Sequence, residues 1–121
     1  MPSLAEVMST SLVTVTPTTT VAEAATMMST RHVGSALVMD GDTLVGIFTE
    51  RDIVRALGSD FAAAGEPVRG RMSSDPTTMP SSADSVEALS LMLAQGFRHV
   101  PVVEGGRVVG IVSMRDLTAH G

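Results

Sequence analysis

The sequence predicts an α+β fold made of two copies of a β-α-β-β-α unit that share one core. Three observations carry this. First, the chain of 121 residues matches itself at a shift of 64. Met8-Ser9 falls on Met72-Ser73, Glu23-Ala24 on Glu87-Ala88, Met28 on Met92 and Gly41 on Gly105. Val45-Gly46-Ile47 falls on Val109-Gly110-Ile111, and Arg51-Asp52 on Arg115-Asp116. Second, each copy alternates between patterns of period 3.6 and period 2 in the same order. Third, a copy of about 60 residues would bury only about 60% of its surface alone, so the copies are expected to pool their apolar residues. A long period repeated once indicates a tandem pair, not a solenoid.

The first element of each copy is a threonine-rich extended segment, Leu12 to Thr16 and Pro76 to Met79. Pro17 and Pro80 are 63 apart, which implies a length difference of one residue at this point. A helix follows, opened by the capping-box patterns Thr20-x-x-Glu23 and Asp84-x-x-Glu87. Its apolar positions are Val21, Ala24, Ala25 and Met28 in one copy and Val86, Leu89 and Leu93 in the other. Two β-branched runs come next, Ala36 to Met39 and Leu44 to Thr49, joined by the hairpin signal Asp40-Gly41-Asp42. Their counterparts are Val100 to Val103 and Arg107 to Ser113, joined through Gly105-Gly106. A last helix closes each copy, Glu50 to Leu57 and Met114 to Ala119. The stretch 59–70, with Gly65, Pro67 and Gly70, reads as a linker. It separates a first repeat over 1–58 from a second over 71–121.

Composition narrows the function. Cysteine is absent, which removes disulfides, thiolate nucleophiles and cysteine-ligated metals. Net charge is −5, with eight arginines and no lysine, and the aromatics are three phenylalanines. Such a chain offers neither a general polyanion surface nor a base-stacking platform, so nucleic acid is not expected as a partner. No apolar run approaches the roughly 20 residues of a membrane span. The N-terminus lacks a signal-peptide pattern, so a cytoplasmic location is expected, and the start at Met1 favours a complete chain. No nucleophile elbow, phosphate-binding Gly-rich loop or metalloprotease motif occurs, so no catalytic residue and no metal site is assigned. Three scattered histidines, His120 among them, do not make a metal site. Met27, Met28 and Met92 are expected to fill the core or a helix–helix interface.

The strongest repeated element runs from the third strand into the last helix. It reads Gly46-Ile47-Phe48-Thr49-Glu50-Arg51-Asp52 and Gly110-Ile111-Val112-Ser113-Met114-Arg115-Asp116. The glycine allows a ligand or another backbone to approach closely. A hydroxyl and a carboxylate three residues apart lie on one side of a helix's first turn. That pair can cap the helix, at about 1 kcal/mol, or accept the hydroxyls of a ribose, and the spacing leaves both open. Two basic doublets stand before the hairpins, Arg31-His32 and Arg98-His99, and they do not superpose, since Gly34-Ser35 stands opposite Arg98-His99. Arginine and histidine suit phosphate oxygens, although a solvated turn would also carry them. Arg98-His99, leading into an apolar strand, is the better phosphate candidate. Arg51 and Arg115 add further positive charge at the helix starts.

Taken together, Gly46-Ile47 with Asp52, Gly110-Ile111 with Asp116, and His99-Val100-Pro101-Val102-Val103 resemble the cystathionine β-synthase (CBS) domain, present as a tandem pair or Bateman module. The resemblance covers Val7 to Leu57 and Met72 to His120 and implies two repeats related by pseudo-two-fold symmetry. It implies a non-catalytic regulatory sensor that needs no cofactor and binds AMP, ADP, ATP, S-adenosylmethionine or NAD in the cleft between the copies. Thr49 with Asp52 and Ser113 with Asp116 would hold riboses, Thr14 and Thr77 would lie near adenine, and Arg31, His32, Arg98 and His99 would reach phosphates. The first copy has Leu37-Val38 in place of the family's usual Pro-Val, which loosens the inference for its base pocket. The family also implies a homodimer through helical faces and an unidentified protein partner. The alternative is an interaction or dimerisation module whose cleft is vestigial.

Overall fold

The structure is a computed structural model describing residues 1–120, without the side chains of Ala119 and His120. The side chain of His120, read above as one of the scattered histidines, and Gly121, the expected end of the second repeat, therefore fall outside what is described. The chain divides into two compact units, residues 13–76 and residues 1–12 together with 77–121.

In the unit 13–76, β1 (Thr14–Val15) leads to α2 (Val21–Arg31), α1 being the Leu4–Val7 turn of the other unit. The hairpin β2 (Ser35–Asp40) and β3 (Thr43–Thr49) follows, then α3 (Glu50–Ser59), two 3₁₀ turns (Phe61–Gly65 and Val68–Gly70) and β4 (Ser73–Ser74). The strands lie in the order β1-β2-β3-β4, with β1 parallel to β2 and the other pairs antiparallel. Helix α2 opens on the expected box: the Glu23 amide donates to Thr20 Oγ1 at 3.1 Å, and the Thr20 amide to Glu23 Oε1 at 3.0 Å. Val21, Ala24 and Met28 pack from this helix against Val15, Ala36, Val38 and Phe48.

The other unit contains α1, α4 (Ser85–Gln95), the hairpin β5 (His99–Glu104) and β6 (Arg107–Ser113), and α5 (Met114–His120). Its hairpin repeats the first, including the register shift between Val102 and Val103 that matches the one between Val38 and Met39. The extended segment is reduced to a single parallel bridge, Met79 to Val102. The reason is Pro101. In the other unit the Leu37 amide donates to the Val13 carbonyl at 2.8 Å, and Pro101, at the matching position, has no N–H to give.

Each unit carries a cluster of buried apolar residues. Each cluster is completed by a segment of the other repeat. Val68, fully buried, joins Val21 and Phe48, while Leu4 and Val7 join Met92, Val100 and Leu117. The hydrogen bonds correspond bond for bond. The Val68 amide donates to the Thr19 carbonyl and the Val21 amide to Glu66, as the Leu4 amide donates to Ala83 and the Ser85 amide to Pro2. Within residues 59–70, expected to be a linker, Phe61–Gly65 and Val68–Gly70 form 3₁₀ turns that bury Ala63 and Val68.

Three further readings are corrected. The shift of 64 holds through the turn that follows the first strand, where the Thr19 amide bonds the Thr16 carbonyl and the Ala83 amide bonds Pro80. Pro17 and Pro80 occupy successive positions of one turn, and there is no length difference. On α4 the buried face is Ser85, Ala88 and Met92, the counterparts of Val21, Ala24 and Met28, while Val86 and Leu93 are exposed. Asp84 caps α4 through the Val86 amide, not through a reciprocal box with Glu87.

Candidate functional site

Each hairpin ends at the turn that starts the last helix, and the two turns are built alike. Thr49 and Ser113 are the final residues of β3 and β6 and the N-terminal flanks of α3 and α5. Their extended backbone leaves the first amides of the helix without partners, which the side chains then supply. In one unit the Asp52 amide donates to Thr49 Oγ1 at 3.3 Å, and the Thr49 amide and hydroxyl donate to Asp52 Oδ2 at 2.9 and 3.1 Å. In the other, the Asp116 amide donates to Ser113 Oγ and the Ser113 amide to Asp116 Oδ2, both at 3.0 Å. Both carboxylates therefore make their cap bonds through Oδ2 alone. Asp52 is buried and Asp116 half-buried, while the hydroxyl residues are half-buried.

The strand pairing decides which other residues join these turns. In the second repeat His99 lies directly across from Ser113, and the Met114 amide donates to the Arg98 carbonyl at 2.8 Å. His99, Ser113 and Asp116 are thus assembled at one end of the hairpin, with exposed Arg98 beside them. In the first repeat Ser35 faces Thr49, and the Glu50 amide donates to the Gly34 carbonyl at 3.1 Å. Thr14 is exposed on β1, whose register places it opposite Leu37, two residues along from Ser35.

Arg31 and His32 stand elsewhere. Arg31 is the last residue of α2, and His32 is its C-cap with φ 55°, in the left-handed position that Gly96 holds after α4. Both are exposed. The bridge from Met79 to Val102 matches Val15 to Val38, so Thr78 corresponds to Thr14 and Thr77 to buried Val13. Composition and motif reading passed over Ser35, Glu50 and Met114, all of which belong to these turns. The shift of 64 is the signal that finds them, since it sets Ser35 on His99 and Glu50 on Met114.

The glycine of the repeated element has another occupant than a ligand. A Cβ on Gly46 would run into the sulfur of Met72, and one on Gly110 into the sulfur of Met8. Met28 and Met92 are in the cores, as expected, while Met27 is largely exposed. No helix among the described residues is long and apolar enough to cross a membrane.

A pair of hairpin-and-helix units with reciprocal Thr/Ser–Asp turns defines a tandem CBS-domain fold, and the family comparison agrees: the CBS domain model matches residues 4–59 and 68–120. The chain belongs to the CBS-domain family. It is 38% identical over 116 residues to an uncharacterized 17.7 kDa protein of Acidianus ambivalens, covering 94% of this chain and 70% of that protein. It is 37% identical over 103 residues to the CBS domain-containing protein CBSCBSPB1 of Arabidopsis thaliana, where it covers 84% of this chain and spans only 19% of the plant protein. In fold it is similar to the CBS domain pair of protein MJ0100 in complex with 5′-methylthioadenosine and S-adenosyl-L-methionine, with TM-score 0.90, 24% identity and coverage of 99% and 95%. It is also similar to CBSX2 in complex with AMP, with TM-score 0.83, 24% identity and coverage of 99% and 96%.

Proposed function

We propose that this chain is a non-catalytic regulatory module that binds adenosine nucleotides, with Asp52 and Asp116 as the ribose acceptors and Thr49 and Ser113 beside them. The observation that carries the reading is the use of a single carboxylate oxygen in each cap. Oδ2 holds the helix start, and Oδ1 remains for the vicinal hydroxyls of a ribose. His99, with Arg98 beside it, supplies donors of the kind a phosphate takes. The ligands of the MJ0100 and CBSX2 complexes, all adenosine derivatives, support the choice of class. Thr14, Thr77, Arg31 and His32 enter the reading only through the family resemblance. The signal passes to a second copy or to an output protein. Exposed Val54 on α3 and Leu93 on α4 support a homodimer through helices, and a monomeric mass in sedimentation at tens of micromolar would exclude it.

The test is thermal melting against AMP, ADP, ATP, S-adenosylmethionine and NAD. A ligand at 100 times its Kd stabilises a fold by about 2.7 kcal/mol, a shift of several degrees for a chain this small. The shift should vanish in the double variant Asp52→Asn, Asp116→Asn, whose amides still cap. A second reading, an interaction module with a vestigial site, is favoured by the completeness of the two caps. It predicts a flat response to the whole panel.

A further inference from the structure

The chain carries nine methionines and no cysteine, so the thioether is the sulfur group it offers to an oxidant. Two of the nine hold matched positions. Met72 lies across Gly46, with its Cγ and Cε each 3.0 Å from the point a Cβ would occupy and its sulfur nearer still. Met8 lies across Gly110 in the same way, with its Cγ at 2.9 Å and its sulfur again the nearest atom. Both glycines are buried, while both methionines are half-buried and pack against the apolar cluster of their unit. Each methionine stands just before the residues that tie its segment to the glycine-bearing strand. The Ser9 and Ile111 amides donate to each other's carbonyls at 2.8 and 2.9 Å, and Ser73 and Ser74 pair with Ile47 and Gly46.

We propose that Met8 and Met72 are oxidation sites, and that a peroxide acting on their sulfurs loosens the segment each repeat lends to the other unit. The peroxide transfers one oxygen atom: its O–O bond breaks, an S–O bond forms and the sulfur gives up two electrons. The proton of the transferred oxygen goes to the departing hydroxide, which leaves as water. The product is bulkier and carries a strong acceptor oxygen, which a buried glycine and an apolar cluster leave unpaired. The side chain turns out to water, the space over the glycine empties and the strand pairing beside it weakens. Met28, Met79 and Met92 are buried and protected, whereas Met1 and Met27 are exposed and oxidise without consequence.

Graded treatment of the full chain with hydrogen peroxide, followed by peptide mass mapping and thermal melting, tests this. Met1 and Met27 should oxidise first with no change in melting. Met8 and Met72 should follow, ahead of Met28, Met79 and Met92, and the melting temperature should fall with them by about 5 °C. Amide exchange at Ser9 and Ile111 should quicken by about tenfold at the same dose, and methionine sulfoxide reductases should restore both readings. The double variant Met8→Leu, Met72→Leu keeps the volume without the thioether, so its melting should not respond to that dose. Met39 and Met114, also half-buried, remain in the variant as its internal control. An equal fall in the double variant would overturn the proposal. So would sulfoxides at Met8 and Met72 with melting and exchange unchanged, or their formation no earlier than at the buried methionines. Mapping, exchange and reversal are read on the parent chain, so they decide even where the variant fails to fold.

Discussion

The sulfur of Met72 fills the space that a side chain on Gly46 would need, and in the other unit Met8 does the same at Gly110. In the sequence Met8 belongs to the first repeat and Met72 to the second, so each methionine seals the strand of the repeat it does not come from. Adding a methyl group at either glycine tests the fit. At Gly46 the crowding atoms all belong to the flexible Met72 side chain, which can turn away. At Gly110 the Ser9 carbonyl also stands at 3.1 Å from the added carbon. Gly110→Ala should cost about 1–3 kcal/mol in urea unfolding, and Gly46→Ala less.

Leu4→Ala should destabilise the chain by about 2–5 kcal/mol, because the side chain is fully buried among Met92, Val100 and Leu117. Hydrogen exchange should show the loss in α4 and β6. Faster exchange centred on α2 and β3 would contradict the exchanged packing.

Ser85 is 4% exposed, and its hydroxyl has no hydrogen-bond partner. Its counterpart is Val21. Ser85→Ala should raise stability by about 1 kcal/mol, since a buried unpaired hydroxyl is removed. A measured loss of stability would mean that the hydroxyl is satisfied in solution.

The Ser81 hydroxyl and amide both donate to Glu104, and they hold its carboxyl below the ordinary carboxylate range. A lowered folded value means that this contribution is complete above the unfolded carboxylate value and fades as pH falls through the lower folded one. Ser81→Ala should therefore melt earlier than the parent at pH 7. The gap should close on acidification below about pH 4. A gap that persists in acid would assign the effect to the turn backbone instead.

Much of this was legible in the sequence, for reasons particular residues make plain. Thr20 and Glu23 announce α2 because a capping box is a local interaction, and Gly105-Gly106 announces a hairpin because both residues take positive φ. The Thr49–Asp52 and Ser113–Asp116 turns were legible for the same reason. The exchange of Leu4 and Val68 was not. A self-comparison places Leu4 on Val68 whichever core receives them, since the shift is the same in both arrangements. The face of α4 was misread because Val86 and Leu93 are apolar yet exposed, whereas Ser85 is polar yet buried. Pro101 hid the register of the second extended segment by removing the bond that defines it in the first.

The exchange of arms also sets where the molecule can be divided. A cut in the peptide between Gly65 and Glu66 would yield two fragments, neither of which owns a whole unit. The N-terminal fragment would keep Leu4 and α2, and the C-terminal fragment would keep Val68 and α4. Each would then hold the missing piece of the other, so the nicked halves should reassemble from dilute mixtures by mutual complementation. A chain cut instead at both Leu12 and Pro76 would release residues 13–76 with their own core complete.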